Sequence, residues 1–313
     1  PSALPPTSPR LLAGRIVPSR APAAGGGSGW VPPADLVAPD KKAGAIATMF
    51  TGLTIANIVG VPLGRFIGQA VGWRTTFAVV AALGVVGLLG IVRLVPAMPR
   101  PEGARLRGEL TAFRNPQVLL AMAMTVLGFG GVFAAITYIA PMMTRVAGYS
   151  DGAVTWLLVL FGVGMFLGNL LGGRYADRKL MPMLYTTLGG LAVVLALFTV
   201  FAHNKILAAI AILLVGALGF ATVPPLQKRV LDQAHGAPTL ASAVNIGAFN
   251  LGNALAAWLG GLVIAAGLGY TAPNWVGAVL AAAALVLAFW SAALERRTPA
   301  PGAAAAVPAP VHH

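Results

Sequence analysis

The sequence contains no cysteine, which excludes a disulfide framework, a thiolate metal site and a cysteine nucleophile. Charge is scarce: charged residues make up 9% of the 313, against about 25% in an average soluble domain. That is too little to solvate a globule of this size, so a water-soluble enzyme is excluded. A disordered chain, whose signature is low hydrophobicity and high charge, is excluded on the same ground. Acid is scarcest, with 8 Asp and Glu against 21 Lys and Arg, and no carboxylate lies inside any long apolar stretch. The four histidines (His203, His235, His312 and His313) fall in polar segments or the tail. An intramembrane hydrolase, which needs paired aspartates or a His-rich metal centre, therefore has no constellation to work with, and neither a metal nor a cofactor site is expected. The 39 glycines and 24 prolines follow no Gly-X-Y period, so collagen is out. What the chain has in abundance is apolar surface: 58% hydrophobic residues and a mean hydropathy of +0.82. This is the composition of a membrane protein.

The net charge of +13 does not point to nucleic acid. A nucleic-acid binder gathers its Lys and Arg on one face, whereas here they sit in small groups between long uncharged windows. A membrane helix needs about 20 mostly apolar residues. Lys42 to Arg65 encloses 22 uncharged residues, Arg74 to Arg93 encloses 18, and Arg114 to Arg145 encloses 30. Asp151 to Arg174 encloses 22, Lys179 to Lys205 encloses 25, and Lys205 to Lys228 encloses 22. Asp232 to Glu295 encloses 62, enough for two helices broken near Gly267 to Trp275. Eight spans are predicted. Alternate loops hold 14 and 4 Lys and Arg, so the positive-inside rule puts both ends of the helical region in the cytoplasm.

Two segments fall outside the spans. Residues 1–40 hold nine prolines and a Gly25-Gly26-Gly27 run and read as a disordered or aberrant segment, without the charged start and apolar core of a signal peptide. Residues 298–313 read as a disordered tail. Between them, 41–96 carries two spans, 97–115 a basic cytoplasmic linker, and 116–297 six spans.

The first span holds small residues at i, i+4 spacing: Gly52, Ala56, Gly60, Gly64 and Gly68. Such a ridge lets two backbones approach closely, and Pro62 within it predicts a kink. Plain helix packing and a tight contact between moving halves both fit. The fourth span repeats the pattern at Gly164, Gly168 and Gly172, then runs into Gly173-Arg-Tyr-Ala-Asp177-Arg178-Lys179. Asp177 there is placed to cap or pair with a neighbouring helix end. The seventh span is the most polar. Ser242, Asn245, Asn250 and Asn253 fall on one arc of about 140° at 100° per residue. Such a face must look at protein or water, either as interhelical glue or as the wall of a solute cavity. Trp156, Tyr185 and Trp275 read as interfacial belt residues.

Residues 55–64 and 251–260 echo one another: Asn57 matches Asn253, Leu63 matches Leu259 and Gly64 matches Gly260. They lie on the first and seventh spans, and a six-helix repeat is the spacing of major facilitator halves. The stretch from about Asp35 to Arg297 resembles major facilitator superfamily permeases, in particular arabinose-efflux-permease-like members of the twelve-span drug:proton antiporter family. The strings Ala45-Ile-Ala-Thr-Met-Phe-Thr-Gly-Leu-Thr-Ile-Ala-Asn57, Val223-Pro-Pro-Leu-Gln227 and Ser242-Ala-Val-Asn-Ile-Gly-Ala-Phe-Asn-Leu-Gly-Asn253 carry the resemblance.

The resemblance implies an all-α polytopic major facilitator fold, with two helices of an N-terminal half, the first four lacking, and a complete six-helix C-terminal half. It implies a bacterial plasma-membrane carrier that exports a small molecule by alternating access, with protons as coupling ion and the bilayer as partner. The family's antiport motif maps to Gly60, Pro62, Gly64 and Gly68, and its gating-loop motif to Gly173, Asp177 and Arg178. The expected substrate cavity draws on Asn57, Thr137, Tyr138, Ser242, Asn245, Asn250 and Asn253. The competing expectation is a truncated fragment that inserts and transports nothing.

Overall fold

Prolines set where this chain bends. The computed structural model describes residues 44, 47, 48, 52, 55–94, 112–234 and 237–297. The expectations for residues 1–40, most of the 97–115 linker and the 298–313 tail lie outside the described residues, as do the side chains of Asn57 and Pro62. A π-helical turn, Ala56–Gly60, leads into α1 (Val61–Ala70), followed by α2 (Trp73–Leu94). Then come α3 (Pro116–Ile136), α4 (Ile139–Arg145), α5 (Asp151–Arg178) and α6 (Leu180–Phe201). The last four are α7 (Lys205–Ala221), α8 (Val223–Gln233), α9 (Pro238–Ala265) and α10 (Ala272–Arg297).

A proline ring presses on the carbonyl four residues back and offers it no N–H. Pro141 therefore breaks the third span at Thr137 and Tyr138, between α3 and α4. Pro224 and Pro225 act in the same way on Phe220 and Ala221, and α7 ends there, before Thr222 and α8. Pro62 stands in the first turn of α1, directly after the π turn. Polar side chains close the starts of α3 and α7: Asn115 Oδ1 accepts from Gln117 N at 2.9 Å, and Asn204 Oδ1 from Ile206 and Leu207 N at 3.0 and 3.1 Å. The tight connections use glycines at positive φ, Gly72 at 104° between α1 and α2, and Gly267 and Gly269 at 81° and 84° between α9 and α10. Side chains are strained in that region.

Among the described residues seven helical segments are long and apolar enough to cross a membrane, with α3–α4 and α7–α8 each forming one broken span. They match seven of the eight expected windows. The remaining window, 43–64, is helical at every position described. Its helix runs on to Ala70 rather than ending near Arg65.

Six spans form one bundle around α3, whose Val118, Ala121, Met124 and Val132 are fully buried. It packs against α9 and α10, while α5 packs against α7. Lipid tails are as apolar as leucine, so close packing must do what water exclusion does in soluble proteins. The α5–α7 seam shows this. A Cβ at Gly172 would lie 2.5 Å from the Ala221 carbonyl oxygen, and one at Gly168 would overlap that of Ala217. Gly131 of α3 and Gly277 of α10 approach each other in the same way. The ridge on the first span behaves differently. A Cβ at Gly64 or Gly68 would meet Thr76 of α2 at an ordinary 3.5 or 3.4 Å, whereas one at Gly52 or Gly60 would meet nothing within 4 Å. The apolar window of α2 is 0% buried within this chain.

Candidate functional site

The polar face of α9 is divided by its neighbours. Ser242 and Asn245 are fully buried, and both engage Gln227 of α8, which is buried too. Gln227 Nε2 donates to Ser242 Oγ at 2.9 Å, and Asn245 Nδ2 donates to Gln227 Oε1 at 2.7 Å. This triad ties α8 to α9 across the loop that joins them, which is the glue alternative for that half of the face. Farther along, Asn250 is exposed and its Nδ2 donates to Ile246 O in its own helix at 2.9 Å. Asn253 is half-buried, and its Oδ1 is enclosed without a hydrogen-bond partner among the described residues, as is Asn245 Oδ1. A bare amide oxygen inside an apolar span calls for water or a polar solute.

The break at Thr137 and Tyr138 brings a second polar group to this region. Tyr138 Oη donates to Ala257 O at 2.7 Å, one turn from Asn253. Its ring fills the space left by two glycines, since a Cβ on Gly260 or Gly261 would sit 2.8 Å from it. Thr137 is exposed and bonds back to Phe133 O at 2.6 Å. Phe129 of α3 packs on α9 and α7: its ring meets Phe249 at 4.9 Å and Phe220 at 5.4 Å, edge-on. Tyr138 thus reaches α9 one turn from Asn253, while Ser242 and Asn245 are set apart in the α8–α9 lock.

A second group of candidates lies at the basic end of the bundle. Gly44 N donates to Asp177 Oδ2 at 2.7 Å, and Asn169 Nδ2 donates to Ala47 O at 2.6 Å. The π turn also packs on α5. One helix of the first group is thus fastened along α5, and Asp177 is the residue that holds its end. Gly173 is buried and Arg178 exposed.

One cluster at this end escaped the sequence. Arg229, counted there among loop cations, has a side chain only 5% exposed. Because α8 continues for 11 residues past the break, Arg229 is carried onto an inward face. Its Nη1 donates to Glu295 Oε1 at 3.0 Å, and its Nη2 to Ser291 Oγ at 2.9 Å and Gln117 Oε1 at 3.3 Å. Gln233 Nε2 adds a bond to Glu295 Oε1 at 2.7 Å. The cluster clamps α3, α8 and α10 together.

The architecture and the buried polar clusters suit a transport fold, and comparison with known proteins decides which. The Major Facilitator Superfamily model matches residues 11–247. The chain belongs to the major facilitator superfamily. The superfamily match starts within the Pro/Gly-rich segment and stops between Asn245 and Asn250. The chain is 45% identical over 300 residues to the "Inner membrane transport protein YdhP" of Escherichia coli O157:H7, covering 95% of this chain and 76% of that protein. It is 34% identical over 277 residues to the "Putative transporter AraJ" of Escherichia coli strain K12, covering 88% and 70%. It is 36% identical over 289 residues to the "Chloramphenicol resistance protein" of Streptomyces lividans, covering 90% and 73%. The chain is thus an all-α, multi-pass superfamily permease, as its motif strings imply, and its relatives are membrane transport proteins.

Proposed function

We propose that this superfamily member is a secondary active carrier that exports a small molecule, a drug or sugar-like solute, by alternating access coupled to protons. The observation that carries the reading is Asn253. Its carbonyl oxygen is enclosed and unpartnered in an apolar span, one turn from the Tyr138 hydroxyl and near Asn250. A solute offering O–H or N–H groups satisfies it, while the Phe129 cluster supplies apolar contact. Ser242 and Asn245 back this cavity by holding α8 on α9, and Thr137 stands at its rim.

The two helical groups, 41–96 and 116–297, rock about the α5 seam. Asp177, with Gly173 and Arg178, latches the first group at the basic end. Gly60, Pro62, Gly64 and Gly68 form the flexible, kinked element that carries antiport. The Lys and Arg bias assigns the basic end, and both ends of the helical region, to the cytoplasm of a bacterial inner membrane. The relative named for chloramphenicol resistance and the one named for the inner membrane support export and this location.

The test is solute accumulation in cells with and without the gene, using chloramphenicol, a labelled pentose and a cationic dye. Lower accumulation of one of them in expressing cells is expected; equal accumulation of all three contradicts export. A second reading, a fragment that inserts but transports nothing, is favoured by the uncovered α2. The same assay separates the two.

A further inference from the structure

A pocket of about 450 Å³ lies at the basic end between the last turn of α5 and the first two turns of α6. Tyr175, Arg178, Lys179, Pro182, Met183 and Thr186 line it. Its surface is almost wholly apolar, given by Pro182, Met183, the Tyr175 ring and the carbon stems of Arg178 and Lys179. Both cations are exposed. Among the described residues neither Arg178 nor Lys179 pairs with a carboxylate; the ion pairs there are Lys228–Asp232 and Arg229–Glu295. The start of α6, at Lys179, has no side-chain cap, which leaves the positive end of that helix uncompensated.

From this geometry we infer that the pocket holds the headgroup of an anionic phospholipid from the adjoining leaflet. Arg178 and Lys179 take the phosphate. The glycerol and upper acyl carbons descend along Pro182, Met183 and Thr186, a run of about 10 Å from Lys179 at the helical rise. A free phosphate uses the cations but leaves the apolar wall unfilled, whereas a lipid uses both. Basic pockets between membrane helices favour such headgroups for this reason. The site adjoins Asp177, so lipid occupancy and the Gly44 contact share one stretch of backbone.

The test is native mass spectrometry of the full chain released from micelles loaded with phosphatidylglycerol, phosphatidylcholine or inorganic phosphate. One retained phosphatidylglycerol is expected, with phosphatidylcholine retained far less and phosphate at millimolar concentration failing to displace it. The double variant R178Q/K179Q should bind that lipid about thirtyfold more weakly, since each basic residue near an anionic surface is worth about a factor of five. T186W, which fills the apolar wall and keeps both charges, should displace the same lipid, and R145Q, on α4 at the opposite end, should not. Unchanged retention in R178Q/K179Q or in T186W overturns the site, as does displacement by phosphate.

Discussion

Asp177 accepts a hydrogen bond from the backbone N–H of Gly44 at 2.7 Å, joining residues 133 apart in sequence. The contact is short and charge-assisted, and it ties the helix that precedes the π turn to the basic end of α5. A Cβ on Gly44 would lie 3.2 Å from the same oxygen, so glycine permits the approach.

Removing the charge should loosen this latch. Hydrogen bonds to charged groups contribute about 1.5–3 kcal/mol, which corresponds to about ten- to hundredfold in a two-state equilibrium. The chain has no native cysteine, so A47C gives a clean reporter at a position that is 4% exposed. D177N in that background should raise thiol labelling at least tenfold in rate, and unchanged labelling would show that the contact does not govern closure.

The α5–α7 seam has no room for another carbon. G168A places a Cβ on the Ala217 carbonyl oxygen and should cost about 1–3 kcal/mol through overpacking. G152A meets nothing and should be neutral or slightly stabilising, because alanine loses less backbone freedom on folding. Thermal unfolding in one detergent compares the two, and equal Tm values would contradict the packing account.

Glue and cavity wall on α9 should separate by readout. Q227L strands Ser242 and Asn245 in the interior, at a cost of about 1–3 kcal/mol, and should lower Tm. N253A removes an oxygen that has no partner, so stability should hold or rise while transport falls. A drop in Tm for N253A as large as that for Q227L would make Asn253 structural.

The Arg229 cluster should be intolerant of truncation. R229A leaves Glu295, Ser291 and Gln117 without their shared donor; Glu295 is partly exposed and keeps Gln233, so the cost is about 1–3 kcal/mol. R229K keeps the charge but loses the two-pronged geometry, and should recover only part of the loss. Full recovery in R229K, measured by Tm, would reduce the cluster to a charge effect.

How much of this was legible in the sequence depends on range. The spans follow from uncharged windows, and the breaks after Ile136 and Ala221 follow from Pro141, Pro224 and Pro225 acting four residues back, a local rule. The small-residue seam at Gly164, Gly168 and Gly172 was legible as a pattern, but not its partner, because α7 meets it through Ala217 and Ala221. The polar arc on α9 was visible, while its division was not. Gln227 reaches Ser242 and Asn245 from another helix, and helical spacing on α9 says nothing of that. Arg229 reads as a loop cation because the charge count stops at Lys228, whereas the helix does not. Asp177 was legible as a capping group, and Gly44 as its partner was not.

The most direct test of the central claim is solute flux through the purified chain in liposomes with an imposed pH gradient. The account predicts gradient-dependent movement of at least one of chloramphenicol, a labelled pentose or a cationic dye. That movement should stop when the gradient is discharged, and fall about tenfold or more in N253A, a loss of about 1.4 kcal/mol in binding terms. Flux equal to that of protein-free liposomes for all three solutes would contradict it.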